Sequence, residues 1–75
     1  MKLDSMKPGQ KGIVVSFDES DKKYRRKILR MGILKGTPFE FVRKAPLGDP
    51  VEIKVQGCMV SLRKEEAEII NVEVA

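Results

Sequence analysis

At 75 residues the chain is one domain, residues 1–75, hiding only about 60–65% of its extended-state surface, so a large buried active site is not expected. A single cysteine, Cys58, excludes an intramolecular disulfide, and the lack of histidine removes the commonest metal ligand and the commonest general base, so most catalytic classes lose their usual residues. The formal charge of +4 suits an anionic partner, while no apolar run approaches the roughly 20 residues of a membrane span or forms a secretory signal, so a cytoplasmic protein without direct membrane insertion is expected.

Residues 1–6 read as a short, mostly polar lead, and Lys7-Pro8-Gly9-Gln10 as the turn that launches a first strand. In that strand Ile13, Val15 and Phe17 alternate with Gly12, Val14 and Ser16, and the first set is expected to face inward. Asp18-Glu19-Ser20-Asp21 then offers Ser20 as an N-cap and acidic charge for the positive end of a helix dipole; the alternative use of the acids is weak binding of a hard cation. A helix over about residues 21–31 follows. Tyr24, Ile28 and Met31 fall at i, i+4 and i+7 with Leu29 beside them, an apolar stripe able to lie across the mouth of a barrel. Lys22, Lys23, Arg25, Arg26, Lys27 and Arg30 fill the other face, which is either a solvated helix surface or a contact for an acidic partner.

Gly32 stands where a helix needs a left-handed residue to stop, and Gly36 where a tight turn enters the next strand. Residues 37–45 read as that second strand, with Phe39 and Phe41 on one face in the core; a base-stacking platform is the other use for such a pair. In Ala45-Pro46-Leu47-Gly48-Asp49-Pro50, the prolines cannot donate ladder hydrogen bonds and bias Ala45 and Asp49 towards extended backbone, so Pro46, Gly48 and Pro50 make a stiff, exposed corner. Val51, Ile53 and Val55 alternate with Glu52, Lys54 and Gln56 in a third strand, and Gln56-Gly57 is a two-residue hairpin. The fourth strand places Cys58, Val60 and Leu62 on one face, making Cys58 a small core hydrophobe, with a reactive thiol as the alternative. Residues 63–68 form at most one helical turn. Residues 69–74, with Ile70, Val72 and Val74 alternating, supply a last strand that closes the sheet. The expected fold is mainly β, a small barrel of about five antiparallel strands with one helix between the first two and a short helical turn before the last.

No His or Cys pairs occur at ligand spacing, so no transition-metal site is expected, and the glycines lie singly at turns without a phosphate-loop pattern. No cofactor is expected either.

The order strand, basic helix ending Leu29-Arg30-Met31-Gly32-Ile33-x-x-Gly36, strand, Ala45-Pro46-Leu47-Gly48-Asp49-Pro50, hairpin, then Ser61-Leu62-Arg63-Lys64-x-x-Ala67 resembles the FeoA family, the small cytoplasmic component of bacterial ferrous iron transport. The resemblance covers nearly the whole chain. It implies an SH3-like small β-barrel that is a binding module rather than an enzyme, and an accessory or regulatory partner of FeoB, the membrane transporter carrying a cytoplasmic GTPase domain. Such a protein would meet the inner face of the membrane only through that partner. Against an acidic surface of the transporter, the basic helix and the stiff turn offer Arg26, Arg30, Leu47 and Asp49 as contacts. Weak self-association stays open. Two other readings also stay open: a small-barrel RNA-binding module, because Pro8-Gly9-Gln10-Lys11-Gly12-Ile13-Val14 resembles the opening of KOW-type barrels, and an excised FeoA-like domain of an iron-dependent repressor. Nucleic acid is not the first choice, since Phe17, Phe39 and Phe41 all fall on expected inward positions.

Overall fold

Short alternating runs separated by glycine and proline turns fold as an antiparallel sheet, and the computed structural model, which describes residues 1–18 and 22–75, shows five strands of this kind. A 3₁₀ turn (Leu3–Ser5) leads into β1 (Lys11–Phe17), α1 (Lys22–Arg30), β2 (Pro38–Lys44), β3 (Val51–Val55), β4 (Cys58–Leu62), α2 (Lys64–Ala67) and β5 (Ile70–Val74). The strands lie in the order β4-β3-β2-β1-β5, every neighbour antiparallel. The last strand therefore docks on β1, and β4 and β5 are the two ends of the sheet. The proposed Ser20 N-cap and the acids Glu19 and Asp21 lie outside the described residues.

One core fills the inside of the curved sheet. Phe41, Val51, Ile53, Leu62, Ile70 and Val72 bury their side chains in it, and Ile28 and Ile33 close it from the helical side. Full burial of such a side chain contributes about 1.5–3 kcal/mol, so this handful supplies most of the driving force available to so short a chain. The N-terminal lead belongs to the core as well. Leu3 and Met6 are buried, the Val72 N–H donates to the Met1 carbonyl at 2.8 Å, and Lys2 bridges Asn71, so the segment read as a polar lead covers the outer edge of β5.

Three packing expectations are corrected. In β1 it is Gly12 and Val14 that are buried, while Ile13 is exposed. The cause is a bulge between Val14 and Ser16, where the register against β5 shifts: the extra residue reverses the inside-outside parity, so Val14 before it and Phe17 after it both reach the core. Gly12 sits inside because a Cβ there would lie 2.9 Å from the Glu73 carbonyl oxygen and 3.1 Å from the Phe39 ring. Leu29, one position round the helix from Ile28, leaves the apolar stripe and is exposed, whereas Tyr24 and Met31 pack against the core. Cys58 is exposed rather than a core hydrophobe. It closes the Gln56-Gly57 hairpin opposite Val55, which is buried, and burial along β4 falls from Leu62 through half-buried Val60 to Cys58, because β4 is an end strand flanked by the sheet on one side only. Val74 is exposed for the same reason at the end of β5.

Candidate functional site

The basic helix is held in place from below. Ile28 is fully buried on its inner face, and the chain leaves α1 through a Schellman arrangement in which Ile33 N–H donates to the Ile28 carbonyl at 3.3 Å and Gly32 N–H to the Leu29 carbonyl at 3.0 Å. Gly32 adopts φ +85°, which a side chain would strain, and the buried Ile28 and Ile33 make the apolar contact that accompanies this motif. Gly36, at φ +88°, then donates its N–H to the Val14 carbonyl at 2.7 Å, tying the corner to β1. Inner face and exit being fixed, Arg25, Arg26, Lys27 and Arg30 are left facing solvent.

The 46–50 corner is equally constrained. Gly48 N–H donates to the Ala45 carbonyl at 2.7 Å, closing a turn with Pro46 in its second position, and Ala45 N–H donates to the Pro50 carbonyl at 3.1 Å. Leu47 stands at the tip with 92% of its surface exposed. An Asp49 carboxylate oxygen accepts the Lys64 N–H at 3.2 Å, so this side chain also ties the corner to the start of α2.

Between these parts lies a polar cleft of about 390 Å³ lined by Lys27 from α1, Asp49 and Pro50 from the corner, and Ser61, Leu62 and Arg63 from the end of β4. The structure thus brings Asp49 and Pro50 together with the basic helix, while Arg26 and Arg30 lie outside the cleft and Leu47 stands two residues from its rim. Two cleft residues, Lys27 and Arg63, were not singled out by the sequence. What fixes Lys27 is Glu66, a buried carboxylate: one oxygen accepts the Arg63 N–H at 2.8 Å, and the other lies 2.9 Å from Lys27 Nζ, an ion pair without an aligned hydrogen bond. This pair clamps α1 to α2 from positions far apart in sequence, which no local pattern reveals.

Asp18 serves a different end from the helix N-terminal charge expected of it. Its carboxylate accepts from Lys2 Nζ and, at 2.9 Å, from Asn71 Nδ2, clipping the end of β1 to the N-terminal lead and β5. The Lys2 bond, followed by the Asn71 bond, holds its carboxyl below the ordinary aspartate value. A second, apolar groove of about 470 Å³ runs past Ile13, Pro38, Phe39 and Gly57 between Lys11 and Lys54, away from every candidate residue above. Among the described residues no three His, Cys, Asp or Glu side chains converge on a metal position, and no helix is long and apolar enough to cross a membrane.

The FeoA domain family matches residues 1–74. The chain is 36% identical over 74 residues to a Fe(2+) transport protein A/Fe(2+) transporter FeoB fusion protein of Porphyromonas gingivalis (strain ATCC BAA-308 / W83), covering 99% of this chain and 9% of that protein. It therefore spans less than a tenth of the length of this curated relative. The NMR structure of a FeoA-like protein from Clostridium acetobutylicum superposes with a TM-score of 0.87 at 40% identity, over 99% of this chain and 85% of that one. A manganese-dependent transcriptional repressor superposes with a TM-score of 0.93 over all of this chain and 36% of its own, at 18% identity, and shares the fold.

Proposed function

The chain belongs to the FeoA family, and from that membership we propose that it is a cytoplasmic accessory of ferrous iron transport, acting by binding a FeoB-type transporter rather than by catalysis. The observation that carries the reading is the fused relative, in which the A protein and FeoB form one polypeptide. Fusion raises the effective concentration of two modules that work together, and it is most useful when their contact is weak.

The contact surface in this reading is the cleft with its two flanks. Arg26 and Arg30 present charge to an acidic face of the partner and speed encounter, while Leu47 supplies the apolar anchor, whose burial contributes about 1.5–3 kcal/mol. A stiff corner loses little freedom on binding, so more of that contribution survives as affinity. The RNA-binding reading is disfavoured because Phe39 and Phe41 are buried and Phe17 packs on the core, which leaves bases nothing aromatic to stack on among these three. The repressor-domain reading has only the shared fold behind it.

The test is equilibrium binding to the purified cytoplasmic region of a matching FeoB-type transporter, with GDP and with a non-hydrolysable GTP analogue, over a salt series. Arg26→Glu/Arg30→Glu is expected to weaken binding by about tenfold or more, equal to about 1.4 kcal/mol. Unchanged affinity in that variant would remove α1 from the contact and shift attention to the apolar groove at Ile13.

A further inference from the structure

A five-stranded sheet that does not close on itself has two edges, and this protein treats them differently. The outer edge of β5 is covered by the N-terminal lead, through the Met1 carbonyl and the Lys2 bridge to Asn71. Among the described residues no main-chain partner covers the outer edge of β4 in this way. Because Val55 and Cys58 are the closing pair of a two-residue hairpin, the main-chain groups of Cys58, Val60 and Leu62 turn towards β3, and those of Met59 and Ser61 turn outward. Among the described residues nothing hydrogen-bonds to these outward groups. The usual devices that blunt an edge are also missing, since Cys58-Met59-Val60-Ser61-Leu62 contains no charge and no proline and pairs with β3 without a bulge. Met59, half exposed, adds apolar surface beside it.

We propose that the β4 edge is a self-association surface, on which β4 of a second copy pairs antiparallel about a two-fold axis through Val60. The inference does not rest on the transporter reading. In this register Val60 faces Val60 of the second copy as a non-hydrogen-bonded pair, and Met59 faces Ser61 on each side. All four outward N–H and C=O groups of each Met59 and Ser61 are then satisfied. A second copy meets this strand without a local charge conflict, although the net charge of the two bodies repels. In a chain of net +4, β4 is the uncharged stripe, so no like charges meet across the pair, and Arg63 falls opposite Gly57 of the second copy. An acidic partner would gain nothing from a neutral strand.

Sedimentation of the full chain from micromolar to millimolar concentration tests this. The mass is expected to rise from the 8.5 kDa monomer towards its double, more steeply at high salt, because salt screens the repulsion between two +4 bodies. Met59→Lys/Ser61→Lys, at two exposed positions, puts lysine opposite lysine and should weaken association about tenfold or more while leaving the monomer's circular dichroism and melting unchanged. Val60→Cys in a Cys58→Ser background should cross-link on oxidation. The native Cys58, which falls opposite Leu62, should not. A monomer at every concentration, or association that survives the double lysine variant or weakens with salt, overturns the proposal. Ser61 lies both on this edge and in the cleft, so transporter binding is measured separately, on the unmutated chain, and failure of either reading shows in its own experiment.

Discussion

At the scale of single residues, exposure and hydrogen bonding separate side chains that look alike in the sequence. Leu47 and Leu62 have the same chemistry, yet one is 92% exposed on a stiff corner and the other is buried. Leu47→Ser should therefore leave the melting temperature unchanged and weaken partner binding about tenfold, as read by calorimetric titration. Asp18 has its carboxyl pKa depressed by Lys2 and Asn71, so its contribution to stability is full above the unfolded-state value near pH 4 and is lost as pH falls through the lower folded-state value. Asp18→Asn is expected to lower stability at neutral pH and to flatten its fall below about pH 4 in denaturant titrations.

At the scale of elements, the two helices and β1 show how packing overrides local pattern. The Lys27–Glu66 pair clamps α1 to α2, and the lysine is half exposed, so its loss is moderated by solvent. Lys27→Met should destabilise by about 1–3 kcal/mol because it leaves a buried carboxylate without its counter-charge. Adding Glu66→Gln, which keeps an acceptor for the Arg63 N–H, should recover much of that loss in a chemical-denaturation cycle. For β1 the bulge after Val14 makes a sharp contrast between neighbours. Val14→Ala should cost about 1–2.5 kcal/mol, whereas Ile13→Ala should cost less than about 1 kcal/mol, the reverse of what alternation alone implies.

At the scale of the whole molecule, two associations are expected to answer to salt with opposite sign. Docking of the basic α1 face on an acidic partner draws on attraction between unlike charges and should weaken as salt rises. Pairing of two β4 edges is opposed by the net +4 of each copy and should strengthen. Parallel salt series on the mixed and the isolated protein read both effects without altering a residue.

The strands of this protein, its single central helix, the Gln56-Gly57 hairpin and the glycine exits at Gly32 and Gly36 follow from sequence, because periodicity and positive-φ positions are local properties of the chain. The Leu-x-x-Gly-Ile-x-x-Gly and Ala-Pro-Leu-Gly-Asp-Pro corners carried the family for the same reason. What sequence could not supply is anything that joins residues far apart. The bulge that turns Val14 inward is a property of its pairing with β5, and the exposure of Cys58, opposite buried Val55, depends on β4 taking the end position of the sheet. The cleft unites Lys27 with Arg63 through Glu66 of α2 and with Asp49 through the Lys64 N–H, and the N-terminal lead covers the edge at β5 while, among the described residues, the edge at β4 stays unpaired. Local torsions and alternation fix which elements form; long-range pairing and the limits of one small core decide which faces they bury and which they leave for a partner.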